Sequence, residues 1–157
     1  MERADKGLAF MMQYENVAWY DAGEVRILDR RVYPRRVELV TCRTHVEVTQ
    51  ALTDMVTQST GPFTAAAMGM ALAAYECREL PAAQQVAYLE RAAETISHAR
   101  PTTVGRMQLI CGGCLEAAKA AISRGVSDVA LAIRDYTVEA NNRRHSRAGQ
   151  MAKHPVD

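Results

Sequence analysis

The spacing of hydrophobic and polar positions changes near residue 44. Before it, Val17–Tyr20 and Glu24–Asp29 are short β-rich runs separated by Asp21-Ala22-Gly23, and Val25, Ile27 and Asp29 alternate with Glu24, Arg26 and Leu28. Two alternating runs around a Gly-containing turn predict a hairpin. Pro34, set among arginines, interrupts the pattern, and Val37–Cys42 supplies a third strand. From Thr44 onward the period is helical. Thr44 and Glu47 have capping-box spacing, and Val48, Leu52, Met55 and Val56 form one apolar stripe. Gly61-Pro62 breaks the chain before a second helix, Phe63 to Arg78. That helix is crowded with alanines and Gly69, whose small side chains allow close neighbours and predict a central position. Pro81 is expected just inside a third helix, with Val86, Leu89, Ala93 and Ile96 on one face. Pro101 opens a fourth segment that reaches to Ser123, with Gly125 as its C-cap. Ser127 is the expected N-cap of a fifth helix running through Ile133 and Val138 to the Arg143–Arg147 region. The expected fold is α+β and mostly α. A small N-terminal antiparallel sheet of about three strands (1–43) precedes a bundle of about five helices (44–150), in a single domain over 1–157.

Composition narrows the function classes. A chain of 157 residues and 17.3 kDa is the size of one ordinary domain. Hydrophobic residues at 48% and charged residues at 24% are globular values and argue against disorder. Nineteen cationic against 18 acidic residues give a net charge of +1, so bulk attraction to nucleic acid or to an acidic membrane is not written into the total. The cations are almost all arginine, because Lys6, Lys119 and Lys153 are the only lysines. Arginine is the better fork for phosphate and carboxylate. Arg30, Arg31, Arg35 and Arg36 surround Tyr33-Pro34, and Arg143, Arg144, His145 and Arg147 crowd the tail. With Tyr33 as the sole aromatic among the first group, a solvated loop is expected and nucleic acid is disfavoured as a partner. No apolar run approaches a membrane span, no secretory signal is present, and four cysteines are too few for a disulfide scaffold. The expectation is a soluble cytoplasmic protein with reduced thiols.

Three strings carry candidate chemistry. Cys111-Gly112-Gly113-Cys114 has redox-pair spacing, but Met107, Ile110, Cys111, Cys114, Ala118 and Ala121 form a helical apolar series around it. Zinc would need two more ligands, and no second paired spacing exists. Two buried, inert thiols are therefore expected, with glycines that admit a close neighbour. No metal and no cofactor are expected. The other two strings are helix starts that suit anions: Ser59-Thr60-Gly61 before the second helix and Arg100-Pro101-Thr102 before the fourth. Capping hydroxyls, or an ion pair of Arg100 with Glu94 or Asp54, would explain the same residues without a ligand.

The order of these signals resembles a known family. Val17-Ala18-Trp19-Tyr20, an acidic-Gly turn, Val25 to Asp29, Pro34, Cys42-Arg43-Thr44, Glu47-Val48, Met55-Val56, Ala65 to Ala74 and Ala99-Arg100-Pro101-Thr102-Thr103-Val104 look like the amino-terminal part of methylthioribose-1-phosphate isomerases. That family includes ribose-1,5-bisphosphate isomerases and the alpha, beta and delta subunits of translation initiation factor 2B. The resemblance implies a small sheet plus helical bundle followed by a larger Rossmann-like domain, which is expected to be absent from this chain. In the isomerases the catalytic Cys and Asp lie in that second domain, so no catalytic residue is carried over. The resemblance implies that Arg100 of Arg100-Pro101-Thr102 helps to hold a sugar phosphate. Where the isomerases carry Arg-Gly-Ala-Pro, this chain has Gln58-Ser59-Thr60-Gly61-Pro62, with no arginine. That departure points toward the initiation-factor-like or uncharacterised branches. The implied function is the substrate-contacting domain of a sugar-phosphate aldose–ketose isomerase-like protein, inactive alone. The alternative is a non-catalytic initiation-factor-like domain. Partners in keeping with either are a phosphorylated sugar or nucleotide, a Rossmann-like domain or protein partner, and a second copy of the chain.

Overall fold

The change of period in the sequence is a change of architecture. The computed structural model describes Arg3, residues 5–7, Phe10 and residues 13–153, with side chains as far as Arg144. His145 and Arg147 of the tail cluster lie outside the described side chains. Strands β1 (Ala18–Asp21), β2 (Glu24–Leu28) and β3 (Leu39–Cys42) form an antiparallel sheet in the order β1-β2-β3, with Ala18 opposite Ile27 and Ile27 opposite Val40. The β1–β2 turn places Ala22 at φ 48° and Gly23 at φ 84°, the left-handed pair that matches strand twist. Val25 and Ile27 are buried and Arg26 is exposed, as alternation requires. The alternation stops at Leu28 and Asp29, which are both buried. Asp29 is buried because it ends the strand and accepts the backbone N–H and side chain of Arg31 at 3.0 and 2.9 Å. A short helix unforeseen in the sequence, α1 (Tyr14–Val17), precedes β1, and its first N–H donates to Asp5 at 2.7 Å.

Helix α2 (His45–Thr53) begins as its cap predicts: Thr44 Oγ1 accepts the Glu47 N–H at 3.1 Å. It ends earlier than its apolar stripe. The Met55 N–H bonds to Leu52 O at 3.2 Å and the Val56 N–H to Ala51 O at 3.1 Å, a Schellman closure with Met55 at φ 61°. Met55 is thereby exposed, while Val56 returns to the core.

Helix α3 (Gly61–Glu76) is the central element, buried on every side from Thr64 to Ala74. A Cβ on its Gly69 would lie 3.0 Å from Val48 and 3.1 Å from Ile96, so this position admits α2 on one side and α4 (Ala82–Ser97) on the other. Pro81 is the N-cap of α4 and not its first helical residue, because its ψ of 154° is extended. Helix α4 buries one stripe, Leu89, Ala92 and Ile96. Glu76 ties three helices together, accepting from His45 Nδ1 at 2.9 Å and from the Tyr88 hydroxyl. A 3-10 turn, Pro101–Thr103, leads into α5 (Val104–Ser123), which closes on Gly125 at φ 72°. Helix α6 (Val129–Lys153) is capped by Asp128, whose carboxylate accepts the Leu131 N–H at 3.0 Å. The expected cap, Ser127, sits one residue too early for that geometry. Among the described residues no helix is long and apolar enough to cross a membrane.

Candidate functional site

The two anion-friendly helix starts meet at one end of the bundle. Arg100 is half-buried, and its fork spans the gap between them: Nε donates to Leu52 O at 2.5 Å and one Nη to Thr57 O at 2.7 Å. Leu52 O lies in the last turn of α2, so the guanidinium sits at the negative end of that helix. The neighbouring Thr53 hydroxyl donates to Ala99 O at 2.9 Å, which fastens the same junction. These bonds use two of the five N–H groups of the guanidinium. Among the described residues no carboxylate pairs with Arg100, neither Glu94 nor Asp54. Burial lowers the pKa of Arg100 below its ordinary value, the mark of a cation short of compensating charge.

Thr57, which Arg100 holds, in turn shapes the second start. A Cβ on Gly61 would lie 2.0 Å from Thr57 Oγ1, so only glycine fits beneath it. Ser59 stands at φ 62°, a left-handed position costly for a side-chain-bearing residue. Thr60 precedes α3 but its side chain caps no N–H, and neither Arg100 nor Thr103 caps at the other start. Capping hydroxyls therefore do not account for either string. Thr103 Oγ1 is buried and without a hydrogen-bond partner, which is uncommon for a native hydroxyl. The backbone donors at these starts are largely taken, because the Gly61 N–H bonds to Gln58 O at 3.1 Å, the Phe63 N–H to Thr60 O at 3.2 Å and the Thr103 N–H to Arg100 O at 3.3 Å, so the remaining guanidinium N–H groups of Arg100 and the Thr103 hydroxyl are the donors at this end. Pro101 and Thr102 are exposed beside them.

The conspicuous cysteine string is elsewhere and does something else. Cys111 and Cys114 lie mid-way along α5, are reduced, and are each 1% exposed. Burial pushes both thiols up to about 12, and Cys42 to about 11. Gly113 accommodates α6: a Cβ there would lie 2.4 Å from the Tyr136 hydroxyl, whereas one on Gly112 would meet nothing within 4 Å. Among the described residues no group of three or more His, Cys, Asp or Glu could hold a metal ion. In the first arginine cluster, Arg31 pairs with Asp29 at 2.9 Å and Arg36 with Glu38 at 3.4 Å, both on an exposed loop.

The sequence reading singled out Arg100 and Gly61 as candidates but not Thr57 or Thr103. Their only signal was proximity in sequence to the two strings.

No family model matches the chain. A methylthioribose-1-phosphate isomerase of Roseiflexus castenholzii is 38% identical over 91 residues, which is 55% of this chain and 26% of the relative. The crystal structure of translation initiation factor eIF-2B, subunit delta, from A. fulgidus superposes with a TM-score of 0.68 at 24% identity, covering 80% of this chain and 37% of that one. The 5-methylthioribose 1-phosphate isomerase of Pyrococcus horikoshii OT3 gives 0.58 at 22% identity, covering 80% and 35%. The chain thus spans about a quarter of the curated relative it matches and little more than a third of either solved chain. The family resemblance read from the sequence is matched by a sequence relative, and the fold by solved structures from both branches.

Proposed function

We propose that this chain is the substrate-contacting domain of a sugar-phosphate aldose–ketose isomerase-like protein, in which Arg100, Pro101 and Thr102 with Ser59, Thr60 and Gly61 meet the phosphate. The observation that carries this reading is the half-buried Arg100 guanidinium, unpaired by any described carboxylate and bonded to the strand of chain that forms the other helix start. Such a fork, with three N–H groups left, suits a phosphate. The domain is inactive alone. Aldose–ketose isomerisation requires a proton to be taken from one carbon and delivered to its neighbour. The described cysteines are buried with raised thiol pKa values, so none offers a thiolate near neutral pH. A Rossmann-like domain, joined to the chain or brought by a partner, would supply the acid–base pair and the other wall of the site.

A second reading is a non-catalytic initiation-factor-like domain that binds a phosphorylated ligand or a protein. The higher TM-score with the delta subunit and the missing arginine in residues 58–61 favour it. The test is a titration of the purified, isotope-labelled chain with methylthioribose 1-phosphate and, separately, inorganic phosphate, followed by amide shifts. Weak binding that moves Ser59–Gly61, Thr102 and Thr103, without turnover, is expected. Turnover by this chain, or shifts confined to other surfaces, would overturn the reading.

A further inference from the structure

We propose that the cleft between α3, α5 and α6 is a second ligand site, built for a small aromatic organic anion. The cleft encloses about 410 Å³, the lower part of the usual range for small-molecule pockets. The walls are Phe63 and Thr64 in the first turn of α3, Ile110 and Cys114 of α5, and Tyr136 and Ala140 of α6, and neither Arg100, Thr103 nor Ser59–Gly61 lines the cleft. Most of that surface is apolar, with two aromatic rings. The polar groups within it are unusual in being unused. Thr64 is 9% exposed and lines the cleft, yet its hydroxyl has no hydrogen-bond partner among the described residues. A threonine hydroxyl in a helix can return to the carbonyl four residues back, as Thr137 does to Ile133 at 2.9 Å on the facing helix. Thr64 does not, and the Tyr136 hydroxyl across the cleft is likewise without a partner among the described residues. The hydroxyl of this nine-tenths-buried residue opens on the cavity and can bond to a polar group that enters it.

The mouth of the cleft is cationic. Arg143 and Arg144 stand on its rim. Arg143 is met by Glu139 at 3.4 Å, but Arg144 bonds to the neutral Asn141 amide and to no carboxylate among the described residues. Arg106 lies 4.7 Å from the centre of the Phe63 ring, also without a carboxylate. An apolar, ring-lined interior with two free hydroxyls, closed by uncompensated guanidinium charge, fits a ligand with an aromatic body and one anionic group. The body would lie against Phe63, Ile110 and Tyr136, a ring heteroatom would meet the hydroxyls of Thr64 and Tyr136, and the anion would face Arg144.

The probe is 8-anilino-1-naphthalenesulfonate, an aromatic system with one sulfonate, titrated by fluorescence into the purified folded chain. N-phenyl-1-naphthylamine, with the same rings and no charge, is the second probe. Saturable binding of one sulfonate per chain is expected, with the neutral probe at least about tenfold weaker, the discrimination a single charge-assisted bond gives. Arg144→Gln should weaken sulfonate binding about tenfold and leave the neutral probe unchanged. Ala67→Leu, which fills the floor, should abolish both, and Ala140→Trp repeats that test at the rim should Ala67→Leu fail to fold. Arg100→Gln should leave both probes unaffected, which separates this cleft from the phosphate end. Equal affinity for the two probes, sulfonate binding unchanged by Arg144→Gln, binding that survives both cleft-filling variants, or binding lost in Arg100→Gln would each overturn the proposal.

Discussion

Helix α5 carries two strings that invite a chemical reading, and the structure treats them in opposite ways. Cys111-Gly112-Gly113-Cys114 lies in the middle of the helix, where both thiols face the core and Gly113 faces Tyr136. Arg100-Pro101-Thr102 lies just before the helix starts, where a half-buried cation has no carboxylate partner among the described residues. The difference is one of place more than of residue type. Mid-helix positions already have their backbone bonds made, so a side chain there is available mainly for packing. At a helix start the backbone itself is still a donor, and a charged neighbour adds to its field. A thiol pair becomes a redox centre when it occupies such a start. Here it does not, and burial leaves the thiols protonated.

The largest effect expected from breaking this contrast is at Gly113. Gly113→Leu would drive a branched side chain into the Tyr136 hydroxyl, and overpacking of this kind costs about 1–3 kcal/mol or more. Chemical denaturation should show the loss, accompanied by faster labelling of Cys111 and Cys114 by a thiol reagent in native buffer. Unchanged stability would mean that α5 and α6 are not held at the distance described.

Arg100→Ala is next. It removes two charge-assisted bonds, leaving Leu52 O to its backbone donors and Thr57 O without this fork, a cost of about 2 kcal/mol for a half-buried group. The Arg100 end is therefore both a fastening and a candidate site, and phosphate affinity and melting temperature should fall together. Arg100→Lys sharpens the test: a point charge keeps part of the fastening but cannot reproduce a fork. A variant that melts like the parent while losing phosphate would assign the arginine to ligand alone.

Much of the fold was legible because its signals are local. The Thr44 cap, the Gly61 and Gly125 boundaries and the small-residue character of α3 depend on a few neighbouring residues, and each stands where the pattern puts it. Errors arose where the path of the backbone decides. Met55 fits the apolar stripe of α2 but is turned outward by a Schellman closure that the sequence marks with no glycine. Asp128 replaces Ser127 as the α6 cap because either residue suits and only the chain path chooses. The site was half legible. Arg100 announces itself by standing before a proline-led helix, but its anchors are the carbonyls of Leu52 and Thr57, 48 and 43 residues away. Carbonyls carry no side-chain signature. Thr64 was hidden for a related reason: within an alanine-rich buried helix, nothing in sequence distinguishes a threonine whose hydroxyl is satisfied from one left open.

The smallest effect concerns the other glycine of the cysteine string, and its sign is opposite. Gly112 is half-buried, lies in the middle of α5, and has open space where a Cβ would go. Its backbone is helical, with no left-handed φ to protect. Glycine in a helix interior costs about 0.5–1 kcal/mol relative to alanine, through the extra freedom of the unfolded chain. Gly112→Ala should therefore raise stability by about that amount, in the same denaturation experiment in which Gly113→Leu lowers it. Two adjacent glycines would then respond in opposite directions, one by relief of unfolded-state entropy and the other by a clash with Tyr136. Destabilisation by Gly112→Ala would show that the glycine is held for a neighbour absent from the described residues. The natural candidate is a second copy of the chain or a partner domain pressed against that face of α5, and a concentration-dependent melting temperature in the parent would accompany it.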